Sequence, residues 1–312
     1  MPFNEIRGQE QAVSGLTNSL SQNRVAHAYL FIGPKGVGKK KTALAFAQAL
    51  NALEVKFLSP QGGSLKIDQL RELQREIYLR PYQGEKKVYI IDDAEKMTEE
   101  AANSLLKILE EPPIYAIIIL LTPYPYSMLA TIRSRCQPVF FQALREELLE
   151  EILASHLDQD PQERRLIARL AQGSLEKAFS IVQDDLLNKR VVLWNLIQEL
   201  SLGKRENFIK EAEGLDKEGR EKIQDYLDLL STCYRDVLVW QKAQRADYLI
   251  NLDRLEEIKS LASVVSSPEI VKAVKLIQET KKMVKQNVNS RLALEVLFLK
   301  LSKRAEEEKC IQ

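Results

Sequence analysis

The chain has 312 residues, enough for two domains of ordinary size or three small ones. Its 45 lysines and arginines nearly balance 44 aspartates and glutamates, so no overall positive field recruits nucleic acid. The longest nearly apolar run, 114–121, is too short to span a bilayer, and the start shows no basic-then-apolar leader. Three scattered cysteines (Cys136, Cys233 and Cys310) argue against a disulfide framework and a four-cysteine zinc site. We therefore expect a cytoplasmic protein with no membrane or metal.

Apolar runs alternate with helical patterns in the first half of the chain. Nearly continuous apolar runs are typical of parallel strands that are buried on both faces. The pattern therefore predicts an α/β domain over 1–143. The five predicted strands are 28–32, 55–58, 88–91, 117–121 and 139–141.

The second half contains only helical patterns. Asp160 before Pro161 predicts a helix start, and Gly173 predicts a helix end that Ser174 follows as a possible cap. We divide this half into a small helical domain, 144–185, and a longer one, 186–312. A last helix is predicted from Asn289 or Ser290. The side chains expected to face inward from it are Leu292, Val296, Leu297 and Leu299.

A phosphate-loop pattern, G-x-x-x-x-G-K, follows the first predicted strand and precedes a helix predicted from Thr42. Backbone N–H groups of such a loop wrap phosphates, and Lys39 would reach the β- and γ-phosphates. The alternative is that these glycines form only a turn between strand and helix, without a phosphate-binding role. The glycines of the pattern are Gly33, Gly36 and Gly38.

The residue after Lys39 departs from an active ATPase. A phosphate loop needs Ser or Thr there, because the hydroxyl ligates Mg²⁺. Lys40 occupies that position, and a cation repels Mg²⁺. Thr42 comes too late to replace the hydroxyl.

The third predicted strand ends at Asp92 and Asp93, as in a Walker B strand. Asp92 would then hold Mg²⁺ through water, and Asp93 would stand where an active ATPase usually has Glu. The alternative is that this acidic pair caps the next helix.

Between the fourth and fifth predicted strands, Arg133 and Arg135 stand two residues apart on a loop. Such a pair alone is usually solvated or paired with acids. Together with the phosphate loop and the acidic strand end, the Ser134-Arg135-Cys136 motif resembles the clamp-loader AAA+ subunits, especially the bacterial DNA polymerase III delta-prime family. The resemblance spans nearly the whole chain. Its other supporting stretches are 8–10, 27–31, 90–97, 103–113, 131–137, 234–236 and 287–289.

The resemblance implies a RecA-like AAA+ domain, a helical lid and a helical collar that joins a five-subunit ring. It implies that Arg135 acts as an arginine finger on the ATP of a neighbouring gamma/tau subunit, with Ser134 and Cys136 as motif residues. A fixed guanidinium offsets charge on a transferring phosphoryl group. The implied partners of this hetero-oligomer are gamma/tau, delta, the beta sliding clamp through the complex, and primed DNA through its phosphates.

Three departures together argue against hydrolysis by the chain itself: Lys40, Asp93, and Glu176 where a motor subunit carries a sensor arginine. Thr122 matches the sensor-1 region but decides little. We expect no cofactor, although weak ATP binding without hydrolysis is compatible with Lys39. The zinc module that relatives carry after the first AAA+ helix has no counterpart, so we expect no zinc.

Two other functions stay open. One is an ATP-hydrolysing motor subunit of gamma/tau or replication-factor-C type, which requires the three missing features. The other is an AAA+ scaffold outside replication, since one fold serves many functions.

Overall fold

The computed structural model describes residues 2–82, 84–201, 208–286 and 288–302. Asn287 and Cys310, noted above, lie outside the described residues. The chain forms two compact units, Met1–Phe179 and Ser180–Gln312. The finer division at residues 143 and 185 stays a prediction.

A parallel sheet forms the centre of the first unit, with the strand order β2-β3-β4-β1-β5. Each predicted strand is confirmed to within two residues at either end. The central strands β1, β3 and β4 are almost wholly buried, whereas the edge strands β2 and β5 are partly exposed. The strands are β1 Ala28–Ile32, β2 Glu54–Leu58, β3 Lys87–Ile91, β4 Ala116–Thr122 and β5 Gln137–Phe140.

Helices cover both faces of this sheet. Successive strand side chains point to opposite faces, so Ile118 joins one core cluster with Leu105 while Ile119 joins the other with Phe46. The fully buried β4 therefore supports both faces. The helices that begin in this unit are α1 Glu10–Ser21, α2 Lys39–Ala49, α3 Ile67–Ile77, α4 Glu99–Glu110, α5 Ala130–Arg133, α6 Glu146–Ala154, α7 Pro161–Ala171 and α8 Leu175–Gln183.

Local signals predicted several helix ends. Asp160 Oδ1 accepts hydrogen bonds from the backbone N–H groups of Gln162 and Glu163, which confirms the predicted start of α7. Ser174 Oγ accepts from the Lys177 N–H at the start of α8. The helix predicted from Thr42 begins earlier, at Lys39, directly after Gly38.

The described part of the second unit is helical, as predicted. Its last helix begins at Ser290, but the inward face predicted for it is largely wrong. Leu297 is buried, whereas Leu292, Val296 and Leu299 are exposed by 56%, 40% and 36%. Because this helix is apolar on nearly all sides, packing rather than pattern selects its face. The helices are α9 Leu186–Ser201, α10 Phe208–Glu218, α11 Arg220–Ala243, α12 Leu255–Val264, α13 Ser267–Lys285 and α14 Ser290–Ser302. The side chains that α14 buries are Ser290, Ala293, Leu294, Leu297, Phe298 and Ser302.

Within the described ranges, no helix has the length and apolar character needed to cross a membrane.

Candidate functional site

The phosphate loop lies at the carboxyl edge of the sheet, between the end of β1 and the start of α2. The Gly33 N–H donates to the Thr122 carbonyl at 3.2 Å, which ties the loop to the end of β4. Gly36 and Gly38 have φ values of +71° and +99°, which glycine adopts without strain. A cavity of about 490 Å³ opens beside the loop, lined also by Asp92, Asp93 and residues of α8.

The Lys39 side chain folds back onto its own loop. Its buried Nζ donates to the carbonyls of Gly33 and Pro34 at 2.7 and 2.6 Å. Burial lowers the pKa of Lys39, although the carboxylates of Asp92 and Glu95 act in the opposite direction. In this arrangement, backbone carbonyls already hold the ammonium that would bind phosphate.

No hydroxyl stands directly after Lys39. The exposed Lys40 places its Nζ 5.1 Å from the centre of the Phe57 ring. The Thr42 side chain is fully buried, and its Oγ1 donates to the Gly38 carbonyl at 2.9 Å. The Thr42 hydroxyl is thus engaged by the backbone at the start of α2.

Asp93 forms ion pairs on two sides. Its carboxylate lies 3.0 Å from Lys35 Nζ and 2.6 Å from Lys96 Nζ. Burial alone would raise the pKa of Asp93, but the hydrogen bonds from Lys96 and Lys35 outweigh burial and hold it below its usual value. Asp92 accepts a hydrogen bond from the Asp93 N–H. The short 3-10 helix Ala94–Lys96 that follows has no side-chain cap, so the predicted capping role is not observed.

Glu95 is a charged neighbour of the loop that sequence reasoning missed. Thr122 Oγ1 donates to Glu95 Oε2 at 2.8 Å and accepts from the Tyr124 N–H at 3.0 Å. The negative charge of Glu95 acts to raise the pKa values of Lys35 and Lys39. Only the folded chain brings Glu95 to Thr122, which lies 27 residues away.

The start of α8 contacts the phosphate loop. The Leu175 N–H donates to the Gly36 carbonyl at 2.9 Å. A Cβ atom on Gly36 would approach Ser174 Oγ to 2.1 Å and Glu176 Cβ to 2.6 Å. Glu176 also lines the cavity, so a carboxylate stands beside the phosphate loop.

Arg135 lies between α5 and β5, at the edge of the sheet formed by the amino ends of the strands, opposite the phosphate loop. The parallel register pairs Gln137, at the start of β5, with Tyr29, near the start of β1. Arg135 therefore precedes the amino ends of the strands, whereas the phosphate loop follows their carboxyl ends. A strand of five residues separates the two edges by about 16 Å.

The Arg135 guanidinium is at the surface. Its side chain is 36% exposed, Nη1 donates to the Thr131 carbonyl at 3.1 Å, and Nη2 lies 3.0 Å from Glu110 Oε1. Ser134 Oγ bonds the Thr131 carbonyl, also at 3.1 Å. Cys136 is buried in the core, and burial raises the pKa of its thiol to about 12. Only Arg135 of the three motif residues presents a charged group.

The predicted site residues thus form two groups. The phosphate-loop glycines, Lys39, Asp92, Asp93, Thr122 and Glu176 gather at one edge of the sheet, while Ser134, Arg135 and Cys136 lie at the other. Nowhere in the described ranges do three or more His, Cys, Asp or Glu side chains gather in a way that could hold a metal ion.

Comparisons with known proteins give consistent results. The family described as DNA polymerase III, delta subunit, matches residues 8–56 and 50–145, and its C-terminal family matches 184–303. The chain is 32% identical to the DNA polymerase III subunit delta-prime of Bacillus subtilis, over 96% of this chain and 97% of that one. It is 33% identical to the tau/gamma subunit of Haemophilus influenzae, over 64% of this chain and 33% of that one.

Among solved structures, a DNA polymerase III gamma subunit-related protein from Thermotoga maritima has a TM-score of 0.55 at 18% identity. The match covers 93% of this chain and 99% of that one. At this identity the likeness concerns the fold alone, and it confirms the expected architecture of a parallel-sheet domain followed by helices.

Proposed function

This chain belongs to the delta-prime subunit family of bacterial DNA polymerase III, and from that premise we propose that it is a non-hydrolysing subunit of the clamp loader. In this proposal it completes the ring of gamma/tau and delta subunits. It supplies Arg135 in trans to an ATP bound by a neighbouring gamma/tau subunit while the sliding clamp is loaded onto primed DNA.

The observation that carries the proposal is the position of Arg135 relative to the chain's own phosphate loop. The two lie at opposite edges of one sheet, about 16 Å apart along the strands. An arginine side chain cannot cross a packed sheet to its own loop. Arg135 is therefore kept from a phosphate at its own loop, and its partly exposed guanidinium supports a role on a phosphate that another subunit holds.

The contacts of the phosphate loop support the absence of hydrolysis in cis. Lys39 is held by loop carbonyls, Lys35 is paired with Asp93, and the Thr42 hydroxyl bonds within α2. Mg²⁺ would need an oxygen ligand directly after Lys39, where Lys40 places a positive charge instead. Glu176 would also repel a triphosphate. Weak binding of ATP in the nearby cavity, without hydrolysis, is compatible with these contacts. The proposed function requires neither a cofactor nor zinc in this chain.

The test is ATP hydrolysis by a complex reconstituted from this chain, gamma/tau, delta, the clamp and primed DNA. We expect Arg135→Ala to slow hydrolysis at the adjacent site about 10³-fold or more, because the finger stabilises transition-state charge. The slowed hydrolysis at this one site would appear as a slow phase of phosphate release in a single-turnover experiment. Arg135→Lys should rescue the rate poorly, since a lysine lacks the planar fork.

Arg71→Ala is the matched control, because Arg71 is an exposed, ion-paired arginine on α3. It should leave the rate unchanged. Hydrolysis by this chain alone would identify a motor subunit instead. A ring that assembles and hydrolyses ATP at full rate with Arg135→Ala would reduce the chain to a passive scaffold.

A further inference from the structure

Arg135 and Glu110 come together from segments that are 25 residues apart in the chain. Glu110 is the last residue of α4, and its Oε1 lies 3.0 Å from Arg135 Nη2. The carboxyl end of a helix also carries a partial negative charge, which adds to the attraction for a guanidinium. On its other side the guanidinium donates from Nη1 to the Thr131 carbonyl.

These two contacts do not use all the hydrogen-bond donors of the Arg135 guanidinium. A guanidinium has five N–H groups in a rigid fork. Two of them are used by Glu110 and Thr131, and the other three have no acceptor in the part of the chain that the structure describes. The ion pair therefore does not have to break before Arg135 donates to a phosphate.

The backbone at Arg135 is anchored as well. The buried Cys136 side chain packs in the same core cluster as Ile132 of α5, and the Arg135 N–H donates to the Ile132 carbonyl at 3.1 Å. The long side chain is the part left with rotamer freedom, and among the described residues its guanidinium is held by Glu110 and Thr131. Ordering the side chain in advance removes an entropy cost that the transition state would otherwise bear.

We propose that Glu110 is the positioning residue of the arginine finger: it holds the Arg135 guanidinium ready for the phosphate of the neighbouring subunit. This inference rests on the proposed function, in which Arg135 acts in trans. Glu110 itself touches no reacting atom. Its effect reaches the reaction only through Arg135.

The experiment is a double-mutant cycle in the reconstituted complex. Glu110→Gln should lower kcat about two- to fivefold, the size expected for a partly exposed ion pair, and leave the KM for ATP unchanged. Glu110→Asp, which keeps the charge, should recover part of that loss. In the Arg135→Ala background, Glu110→Gln should have no further effect, which a general structural role of Glu110 would not produce.

Glu111→Gln is the matched control. It removes the same charge from the neighbouring exposed residue, which forms no hydrogen bond or ion pair with Arg135 among the described residues, and it should behave as wild type. If Arg135→Ala is slow but Glu110→Gln is as fast as wild type, the positioning role is overturned and the finger stands. A faster Glu110→Gln complex also overturns it, since Glu110 would then restrain the arginine. If Arg135→Ala itself has no effect, both proposals fail.

Discussion

The phosphate loop after β1 and the arginine segment before β5 are both basic, yet their cations are used in different ways. In the loop, Lys39 and Lys35 bind groups of the same unit, namely backbone carbonyls and Asp93. In the segment, the Arg135 guanidinium is partly exposed, and three of its N–H groups have no acceptor among the described residues. The loop buries the charge of Lys39 against backbone carbonyls, whereas the segment leaves the charge of Arg135 partly exposed.

The difference shows that the basic residues at the two ends of the strands can be used in different ways. The phosphate loop follows the carboxyl ends of the strands, whereas Arg135 precedes their amino ends. Substitutions such as Lys40 change the first edge without touching the second, because β1, β3 and β4 lie between them as a rigid buried layer.

The largest expected effect on stability comes from a change in the buried core of the sheet, which holds both groups of residues in place. Ile119→Ala, in the fully buried β4, should lower the free energy of unfolding by about 3–4 kcal/mol, because it leaves a cavity in the core. Urea unfolding measures the loss. Ile114→Ala, at a side chain that is 92% exposed, should change it by less than about 0.5 kcal/mol. Equal losses at the two positions would contradict the packing described for β4.

A second prediction concerns only the loop. Gly36→Ala should destabilise the protein by about 2–3 kcal/mol, because the residue has a positive φ and its new Cβ would collide with Ser174 and Glu176. Gly62→Ala shares the positive φ but has open space, so it should cost only about 1 kcal/mol. Thermal unfolding of the two variants separates the collision from the backbone cost. If the two variants have the same melting temperature, the start of α8 is not packed tightly against the loop.

A third prediction uses pH to examine the ion pairs that Asp93 forms beside the loop. Asp93→Asn should cost about 0.5–1 kcal/mol at pH 7, since it breaks the pairs with Lys35 and Lys96. The folded pKa of Asp93 is held below its ordinary value of 3.8, so the stabilisation is complete above that pH. It is lost as the pH falls through the folded pKa.

The difference between wild type and Asp93→Asn should therefore shrink in denaturant titrations at about pH 3. Asp68→Asn is the control, because Asp68 is 86% exposed and only loosely paired with Arg71. It should have little effect at either pH. A constant difference for Asp93→Asn across this range would show that the ion pairs do not stabilise the loop.

The smallest effect is expected at the arginine segment. Arg135→Ala should change the free energy of unfolding of the isolated chain by less than about 0.5 kcal/mol, because a partly exposed ion pair contributes little. Differential scanning calorimetry measures it. A loss above about 1 kcal/mol would mean that Arg135 stabilises its own fold, and the contrast between the two edges would weaken.

Pattern predicted the elements well where the local signal was strong. The buried strands β1, β3 and β4 have continuous apolar runs, and Asp160 caps α7 as expected. Pattern failed at α14, where apolar residues on nearly every side left three of four inward predictions wrong. The alternative interpretation of Asp92 and Asp93 as a helix cap is not observed, since Asp93 forms ion pairs and makes no side-chain cap, whereas their Walker B interpretation stays a prediction.

The sequence by itself determined the order of strands and helices, the position of the phosphate loop, and the lysine that replaces the hydroxyl after Lys39. These depend on neighbours within a few residues, whose spacing the chain displays directly. The tertiary structure alone decided that Arg135 lies at the opposite edge from the loop, beside Glu110, and that Glu95 meets Thr122. Those contacts join segments 25 and 27 residues apart, and they exist only because the parallel register and helix packing bring the segments together.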